Sequence, residues 1–482
     1  MAAGATARRL KLVSTYYDTE DRALVRQGLV LRVRQHDGHY IQTVKSAWVP
    51  GGSPLARGEW EDTIAGERPD PLAPESGRFL SADIAARVAP VFRTEVTRLV
   101  TELAPAPGTC IEAAIDRGTI RVPGRKPGER ISEIEFELKS GPVTALYDVA
   151  LRLLAEAPVR LERRSKAERG YQLAAGRPLT PGVRADPFAL DPTLSAAEAL
   201  QRIGRVCLDQ ILRNEAAIFA GRADGVHQMR VAARRLRAAL SAFRRMLPPQ
   251  QRRRADDELR WLANALGEAR NFDVFESALI RPAREALPDV AALRVLSAAA
   301  RQRRRAAYAA ARHAIGSPRY TALLLGLMRW FDAGGWRDAK ATAKLDRPIG
   351  EIAPLLLDKR RRAAKRRGKG FAGQSAAERH KLRIVLKKLR YTSELLSGLY
   401  DTAAVEIFTG GLKRLQDDLG EANDVRVAQD IVAELARSGG PTIAHAGKIV
   451  LDWHKRRLAG REPKTREHLR RLLAAEPFWR GR

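Results

Sequence analysis

The chain has 482 residues, 45% of them hydrophobic, which is long enough for two or three domains with separate cores. Its formal net charge of +30 favours a polyanionic partner: nucleic acid, an acidic membrane surface or a phosphate polymer. The two cysteines, Cys110 and Cys207, exclude a cysteine-based zinc site and argue against a disulfide framework. No apolar run has the length of a membrane span or a signal peptide, so the sequence predicts a cytoplasmic protein.

Residues from Tyr16 to about Leu173 show the period-two alternation and the glycine and proline punctuation that are typical of strands. The segment 133–139, EIEFELK, places its acidic residues on one face and its apolar residues on the other. A charged face is often solvent-exposed, but several strands with faces of mixed sign favour a sheet closed around a charged ligand. The polar residues with this alternation are Arg32, Arg34, Thr43, Lys45, Arg57, Glu59, Glu61, Glu133, Glu135 and Glu137.

A proline-rich stretch, 176–194, separates this half of the chain from a helical half and is predicted to be a linker. Ser195 and Glu198 then form a capping-box motif that opens the first long helix. The pattern is lost again near the glycine pair at 334–335. The predicted organisation is therefore a strand-rich domain at 1–175, a linker at 176–194, and a helical domain at 195–482 with halves at about 195–335 and 345–482.

Two helical segments each place four basic or titratable residues on one face. Their spacing of i, i+3, i+7 and i+10 confines them to an arc of roughly 80°. They are His227, Arg230, Arg234 and Arg237 in the first segment, and His380, Arg383, Lys387 and Arg390 in the second. The offset between the segments is 153 residues, from 227 to 380. The tetrapeptide Leu-Gly-Glu-Ala recurs with the same offset, at 266–269 and 419–422, which indicates an internal duplication.

Like charges on one helical face repel, so a fold that presents such a face twice is expected to bind a counter-anion. Arginine suits phosphate because its planar fork donates from two nitrogens. We therefore expect the two helices to face each other and grip an extended polyanion. The histidines either contact phosphate or are structural, and the acidic residues that follow the tetrapeptides either orient the arginines or cap a helix. Nucleic acid is the second alternative. It ranks below a phosphate polymer because aromatic residues are only 6% of the chain and no stacking platform is visible.

The helical half resembles the CHAD domain family. The resemblance depends on the two basic motifs given above and on the segments LGEARNFDV and LGEANDV that follow them. It implies two antiparallel four-helix bundles related by pseudo-symmetry, with a basic surface or cavity that binds inorganic polyphosphate. The eight residues of the two basic motifs would be its polyphosphate ligands.

The strand-rich half resembles the CYTH domain, the triphosphate tunnel fold, through the segments YYDT, LRVR, EIEFELK and SKAERGY. The resemblance implies an eight-stranded antiparallel tunnel in which basic residues hold a triphosphate and acidic residues hold Mg2+ or Mn2+, so that water attacks a terminal phosphorus. The implied triphosphate ligands are Arg32, Arg34, Lys45, Arg57 and Lys166. The implied catalytic carboxylates are Glu133, Glu135 and Glu137, and the implied metal ligands are Glu59, Glu61, Glu135 and Glu137.

One departure from the CYTH pattern concerns the first strand, which in the family carries Glu-x-Glu-x-Lys. Here no acidic residue precedes Asp18. Either the chain starts late, or the tunnel is incomplete, with a weakened metal site and an exposed strand edge.

The sequence thus predicts an α+β multidomain protein with an N-terminal antiparallel tunnel and a C-terminal domain of two pseudo-symmetric four-helix bundles. The expected activity is that of a metal-dependent inorganic triphosphatase joined to a polyphosphate-binding module. Inorganic polyphosphate or triphosphate is the expected partner, with no membrane and no obligate protein partner. The alternatives are a non-catalytic protein that targets polyphosphate granules through an inert CYTH domain, and a non-specific nucleic-acid-binding protein.

Overall fold

The computed structural model describes residues 7–46, 58–125, 127–176, 181–336 and 342–480. The chain divides into two compact units, Met1–Thr180 and Pro181–Arg482. The first unit combines a sheet with helices and the second is helical, which confirms the predicted fold class. Within the described ranges, no helix combines the length and the apolar character that a membrane span requires.

The first unit is built on one antiparallel sheet with the strand order β4-β3-β2-β1-β5-β6-β7. Its strands are β1 Arg8–Asp18, β2 Leu29–His36, β3 His39–Ser46, β4 Glu59–Ile64, β5 Ala89–Ala106, β6 Thr109–Arg121 and β7 Glu129–Ser140. Strand β1 begins earlier than the strand-like region predicted from Tyr16 onward, and it pairs with both β2 and β5 at the centre of the sheet. The described ranges hold seven strands, whereas the family resemblance implied eight.

Helices accompany this sheet, and two of them correct the prediction. They are α1 Ala23–Arg26, α2 Ala82–Arg87, α3 Thr144–Glu156 and α4 Lys166–Ala175. The prediction of strand-like structure up to Leu173 was wrong over α3 and α4. Helix α4 begins after a capping box in which Ser165 accepts a bond from the Glu168 N–H while the Glu168 carboxylate accepts from the Ser165 N–H.

An aromatic contact fixes α4 against the sheet. Tyr16 on β1 stacks on Phe92 of β5 at 4.4 Å between ring centroids, and Tyr171 of α4 meets the edge of Phe92 at 5.2 Å. Gly170 faces the same ring so closely that a Cβ at this position would lie 2.1 Å from it. The glycine therefore allows α4 to approach the sheet, which brings Lys166 and Arg169 onto the charged face.

Arg169 of α4 forms ion pairs with residues of β7, and the Arg169 residue is only 6% exposed. Its guanidinium donates to Glu129 at 2.6 Å, to Glu133 at 2.8 Å and to the Arg130 carbonyl at 2.6 Å. We expect Arg169→Met to lower the free energy of unfolding of the first unit by about 3 kcal/mol, because two carboxylates would lose their buried partner. Hydrogen exchange in peptides from β5 to β7 measures this loss.

The matched control for this substitution is Arg121→Met on β6. The Arg121 side chain is 66% exposed and lies 3.9 Å from Glu95, so its removal should change stability by less than about 0.5 kcal/mol. Equal protection in the Arg169→Met and Arg121→Met proteins would contradict the structural role assigned to Arg169.

The second unit consists of helices, and the starting positions of several of them recur at a fixed offset along the chain. They are α5 Ala196–Arg213, α6 Glu215–Phe219, α7 Ala223–Ala242, α8 Pro249–Ala265, α9 Gly267–Val274, α10 Arg281–Ala286, α11 Ala292–Ile315, α12 Pro318–Ala333, α13 Ile349–Gly368, α14 Ala376–Leu395, α15 Thr402–Ala459 and α16 Glu462–Ala474. Helices α5 and α13, α7 and α14, and α8 and α15 begin at positions that differ by 153 residues. Helix α15 bends at Gly440, whose φ is 75°, just before Pro441.

A short antiparallel bridge joins the starts of α5 and α13. It pairs Ser195 with Pro348, two residues that are themselves 153 positions apart. On either side of it, the Ala196 N–H donates to the Arg347 carbonyl at 2.8 Å and the Ile349 N–H donates to the Leu194 carbonyl at 2.7 Å. Ser195 and Pro348, which have equivalent positions in the two halves, thus lie next to each other. Equivalent residues pair in this way where a twofold axis relates two copies of a module.

Part of the predicted linker is fixed to the helical unit. The Val183 N–H donates to the Asn214 side-chain oxygen at 2.8 Å, and the Asn214 amide donates to the Val183 carbonyl at 2.9 Å. Leu190 is also buried. Residues 181–194 therefore pack as part of the second unit, and residues 177–180 lie outside the described ranges.

Candidate functional site

One face of the sheet collects the charged residues that alternation predicted on β2, β3 and β4. In the ladder, Arg32 lies opposite Thr43, and Thr43 lies opposite Glu61. The Arg32 guanidinium donates to the Thr43 hydroxyl at 2.9 Å and lies 3.4 Å from Glu61. Lys45 pairs with Glu59 at 2.6 Å. This part of the face is a network in which each carboxylate already has a cation beside it.

Arg34 differs from its neighbours because it forms no ion pair with the described carboxylates. Its nearest polar contact is the Ser14 hydroxyl, at 3.5 Å from Nε. Burial, followed by the charge of Arg32, lowers the pKa of Arg34 to about 10. A cation held in this way is available to an anion that enters the face. The remaining predicted phosphate ligand of this group, Arg57, lies outside the described residues.

The opposite end of the same face holds a cluster of three carboxylates. Asp116 on β6 lies opposite Glu133 of β7, and Glu135 follows on the same side of β7. Each offers one oxygen, and the three oxygens lie within 4.8 Å of one another. Oxygen ligands of this kind suit Mg2+ or Mn2+. The three residues therefore fit a divalent metal ion, and we call them the acidic cluster.

Two basic side chains contact the acidic cluster. The Lys166 ammonium lies 2.8 Å from Asp116 and 2.7 Å from Glu135, and it also pairs with Glu133. Arg98 donates to both Asp116 oxygens at 2.7 Å and pairs with Glu135. Burial opposes ionisation of Asp116, but bonds from Arg98 and the charge of Lys166 outweigh it and lower the pKa of Asp116. The cluster is thus anionic and already compensated by protein cations.

Several sequence-predicted acidic residues lie outside this cluster. Glu59 and Glu61 belong to the Arg32 and Lys45 network on β4. Glu137 pairs with Lys139 at 2.8 Å. Asp116 was missed by the sequence reasoning, although it belongs to an alternating stretch on β6. Only the strand register, which puts Asp116 opposite Glu133, reveals that it belongs with β7.

The second candidate site lies where α7 packs against α14. The predicted residues Arg230 and Arg234 of α7 come together there with Arg383 and Lys387 of α14. Arg234 acts on the cations of both helices, since its charge contributes to lowering the pKa of Arg230, Arg383 and Lys387. Arg270 of α9 joins them and was not predicted as a ligand. We call the set Arg230, Arg234, Arg270, Arg383 and Lys387 the cationic cluster.

The recurring tetrapeptides explain how two of these arginines are accommodated. A Cβ at Gly267 would lie 3.3 Å from a terminal nitrogen of Arg230, and a Cβ at Gly420 would lie 3.7 Å from a terminal nitrogen of Arg383. The two glycines are 153 positions apart, as are the two arginines. Each Leu-Gly-Glu-Ala segment therefore leaves space for the equivalent guanidinium.

The cationic cluster is poorly compensated. Among the described residues none of its five members forms an ion pair, and the buried Nε atoms of Arg230 and Arg383 have no hydrogen-bond partner. Burial and neighbouring arginines lower the pKa of Arg230 to about 9 and that of Lys387 to about 7. The same causes lower the pKa of His227 to about 4. These depressed values indicate a site with too much positive charge for the anions it contains.

Two carboxylates act on this cluster. The charge of Asp424 on α15 opposes the lowering of the pKa of Arg383, Lys387 and Arg270, and the charge of Asp273 on α9 does the same for Arg270. Burial nevertheless raises the pKa of Asp424, because it outweighs the attraction of the cations. Asp273, the counterpart of Asp424 after the first tetrapeptide, also accepts bonds from Arg304 at 2.7 Å and from the Tyr308 hydroxyl at 2.9 Å.

Four of the eight predicted ligands have protein partners among the described residues. A terminal nitrogen of Arg230 donates to the Ala263 carbonyl. Arg237 donates to Asp256 at 2.8 Å, and Arg390 lies 3.2 Å from Glu394. His380 is exposed, with Nδ1 3.2 Å from the Asn423 side-chain oxygen. The described structure thus concentrates uncompensated charge in the middle of α7 and α14 and neutralises their C-terminal ends.

Comparison with known proteins identifies the domain families to which this chain belongs. Family models described as the CYTH domain and the CHAD domain match residues 3–171 and 202–433. The crystal structure of the CHAD domain from the plant Ricinus communis is 30% identical, with a TM-score of 0.54, and the match covers 62% of this chain and 98% of that one. The chain is a CYTH and CHAD domain protein. The acidic cluster and the Arg32 network belong to its CYTH domain, and the cationic cluster belongs to its CHAD domain.

Two curated relatives extend the comparison. An inorganic triphosphatase of Haemophilus influenzae is 33% identical over 174 residues, which are 36% of this chain and 49% of that protein. An uncharacterized protein of Mycobacterium tuberculosis is 28% identical over 252 residues, which are 50% of this chain and 46% of that protein. The CYTH and CHAD domain protein therefore spans about half the length of the curated relatives it matches.

Proposed function

We propose that this protein binds inorganic polyphosphate through the cationic cluster of its CHAD domain and hydrolyses or binds triphosphate in its CYTH domain. The observation that carries the proposal is the cationic cluster itself. Five cations from α7, α9 and α14 converge without an ion pair to any described carboxylate, and the buried Nε atoms of Arg230 and Arg383 lack acceptors there. A polyanion with closely spaced oxygens would satisfy these donors.

Binding of labelled long-chain polyphosphate at two salt concentrations tests the proposal. We expect the affinity to fall about 10-fold or more between 50 and 200 mM salt, because the contacts are ionic. RNA should compete poorly, since the cluster offers phosphate donors but no aromatic platform for bases. Salt-insensitive binding, or RNA that displaces polyphosphate, would overturn the assignment.

The pH dependence of binding follows from Lys387, whose pKa of about 7 lies below that of an ordinary lysine. Below pH 7 the ammonium form is present and attracts phosphate. Above pH 7 the free protein holds a neutral amine, and binding must first add a proton. We therefore expect affinity to fall as pH rises from 7 to 9, by up to about 10-fold per pH unit for one coupled proton. Isothermal titration over this range measures the profile.

Lys387→Arg is the matched variant for the pH profile, because an arginine at this position stays protonated to a higher pH than a lysine. Its binding should be nearly flat between pH 7 and 8, whereas its affinity at pH 7 should stay close to that of the wild-type protein. A wild-type profile that is equally flat would show that Lys387 does not take up a proton on binding.

For the CYTH domain, the proposal assigns Asp116, Glu133 and Glu135 to hold a divalent cation such as Mg2+ or Mn2+. When bound, such a cation supplies positive charge for phosphate oxygens and lowers the pKa of water. Arg34, Arg32 and Lys45 would hold the triphosphate from the other end of the same sheet face. The relationship to an inorganic triphosphatase, which covers the CYTH half of this chain, supports this assignment.

A second candidate function is a non-catalytic CYTH domain beside a CHAD domain that docks on polyphosphate granules in the cytoplasm. The contact of the Lys166 ammonium with all three carboxylates of the acidic cluster favours it, because a protein cation there competes with a metal ion. Release of phosphate from inorganic triphosphate, measured on the wild-type protein with Mg2+ or Mn2+, separates the two functions. Absence of turnover with both metals would favour the non-catalytic one.

We also propose that the CHAD domain is an internal duplication, with halves at about 195–335 and 345–482 after a CYTH domain at 1–175 and a connection at 176–194. The common offset of 153 residues supports this proposal. It applies to the two basic helices, the two tetrapeptides and the bridged pair Ser195 and Pro348. A duplicated module would explain why equivalent arginines of α7 and α14 enter one cluster.

A further inference from the structure

Lys166 contacts all three carboxylates of the acidic cluster with one ammonium group. Its Nζ lies 2.8 Å from Asp116 Oδ2 and 2.7 Å from Glu135 Oε1, and it also pairs with Glu133 Oε1. The Lys166 side chain is 13% exposed, whereas that of Glu135 is 48% exposed, so a small ion can enter the cluster beside Glu135. Because Mg2+ takes oxygen ligands at about 2.1 Å, a divalent cation on these oxygens would need the position of the ammonium.

Two arginines contact the oxygens of the two glutamates that the ammonium does not use. Arg98 pairs with Glu135 Oε2, and Arg169 lies 2.8 Å from Glu133 Oε2. Arg98 also donates to both oxygens of Asp116 at 2.7 Å, from Nε and from a terminal nitrogen. Each carboxylate of the acidic cluster would therefore keep an arginine partner if the ammonium left.

The charges that remain without Lys166 match a divalent cation. Arg169 also lies 2.6 Å from Glu129, so the two arginines share four carboxylates. With every group ionised, four carboxylates and two arginines carry a net charge of −2, and Lys166 reduces it to −1. A divalent cation beside the ammonium would leave excess positive charge in a partly buried site, which is unfavourable. Exchange of the ammonium for the metal ion would make the set neutral.

Lys166 can leave the cluster while its helix stays in place. It is the first residue of α4, and the capping box at Ser165 fixes the start of this helix. One turn later, the ion pairs of Arg169 and the close packing of Gly170 on Phe92 fix α4 to the sheet. A cation at a helix start is disfavoured by the helix dipole, so α4 does not itself stabilise the ammonium. Rotation about the bonds of the flexible lysine side chain is sufficient for the movement.

We propose that Lys166 is an exchangeable counter-ion of the acidic cluster, which leaves when a divalent cation binds and then contacts the triphosphate. The inference rests on the proposed metal and triphosphate binding of the CYTH domain, and it gives that binding an order, with the metal first. Until the exchange, the ammonium is paired with carboxylates and is not available to phosphate. After it, Lys166 joins Arg34 as a cation free to bind an anion, whereas Arg98 remains on Asp116 through its two bonds.

Mn2+ binding to the full chain without phosphate, followed by electron paramagnetic resonance, tests the competition. We expect Lys166→Met to bind Mn2+ about 10-fold or more tightly than the wild-type protein, because the competing ammonium is gone. Lys139→Met is the matched control, since Lys139 lies 2.8 Å from Glu137, outside the acidic cluster. Its Mn2+ affinity should stay within about 3-fold of the wild-type value, because salt screens the more distant charge. Equal affinity of the wild-type and Lys166→Met proteins would overturn the proposal.

Wild-type crystals soaked in Mn2+ show where the ammonium goes, because anomalous scattering locates the metal. We expect Mn2+ at the acidic cluster and Lys166 Nζ more than about 4 Å from its three carboxylates, beyond ion-pair distance. Mn2+ bound there with Nζ still in contact would reject the exchange and uphold the metal site. Mn2+ binding by Lys166→Met but not by the wild-type protein would also reject it and would favour the non-catalytic function. Absence of Mn2+ from both proteins would reject the exchange together with the metal site.

Discussion

The double substitution Arg234→Gln and Arg383→Gln is expected to weaken polyphosphate binding by about 100-fold or more, since each charge-assisted bond contributes about 1.5 to 3 kcal/mol. The same change should raise the melting temperature of the free protein by a few degrees. The reason is that burial and like-charge repulsion both disfavour the charged side chains of the cationic cluster, and together they lower the pKa of Arg383, Arg230 and Lys387. Titration calorimetry and thermal unfolding measure the two effects.

Arg294→Gln combined with Arg437→Gln is the matched control, because both residues are exposed and the net charge changes by the same amount. We expect this pair to leave the melting temperature unchanged and to reduce affinity by no more than a few-fold, through the weaker overall field. An equal loss of affinity in both double variants would mean that binding depends on net charge alone and that the cluster has no special part in it.

The second large effect is expected in the CYTH domain. If the proposed metal site is the catalytic one, Asp116→Asn and Glu135→Gln should each reduce metal-dependent release of phosphate from triphosphate by about 100-fold or more, because each would remove a charged ligand worth several kcal/mol in the transition state. Initial rates with Mg2+ and with Mn2+ measure the effect. Raising the metal concentration should restore part of the activity, since weakened metal binding is the cause.

Glu112→Gln provides the control on β6, four residues from Asp116 and on the same side of the strand. It lies outside the acidic cluster and should retain activity within about 2-fold, as expected for a substitution away from the reacting groups. Glu137→Gln tests the prediction made from sequence, because Glu137 was placed in the catalytic set by resemblance and pairs with Lys139 in the structure. Full activity of Asp116→Asn would reject the acidic cluster as the metal site.

The charged sites of the two domains differ in how their charges are paired. In the CYTH domain most cations of the charged face have a carboxylate within hydrogen-bonding distance, as Lys45 has Glu59 and Arg98 has Asp116. In the CHAD domain the cationic cluster has no such pairs among the described residues. Mixed charge suits a site that binds a metal together with phosphate, whereas unpaired charge suits a site that only binds.

Helical periodicity was sufficient to predict the centre of the cationic cluster. Arg230, Arg234, Arg383 and Lys387 follow from spacing alone, because residues three, four and seven positions apart share a helical face whatever the tertiary structure. The offset of 153 residues then linked α7 with α14 before any contact between them was known. Period-two alternation predicted the shared face of Arg32, Lys45, Glu59 and Glu61 for the same local reason.

Residues brought in by long-range packing could not be predicted in this way. Asp116 joins the acidic cluster through the register of β6 with β7, and Arg270 joins the cationic cluster through the position of α9. Helices α3 and α4 were missed because the strand-like pattern of the preceding residues was extended over them and the capping box at Ser165 was overlooked. The partner of Arg237 could not be predicted either, since Asp256 lies on another helix, whereas the i,i+4 spacing of Arg390 and Glu394 on α14 was available from the sequence.

A crystal structure of the full chain with bound inorganic polyphosphate tests the central claim most directly. We expect consecutive phosphates between α7 and α14, with oxygens accepting bonds from Arg230, Arg234, Arg383 and Lys387. The buried Nε atoms of Arg230 and Arg383, which lack acceptors among the described residues, should gain them. Polyphosphate bound elsewhere, with the cationic cluster left free of phosphate, would contradict the account.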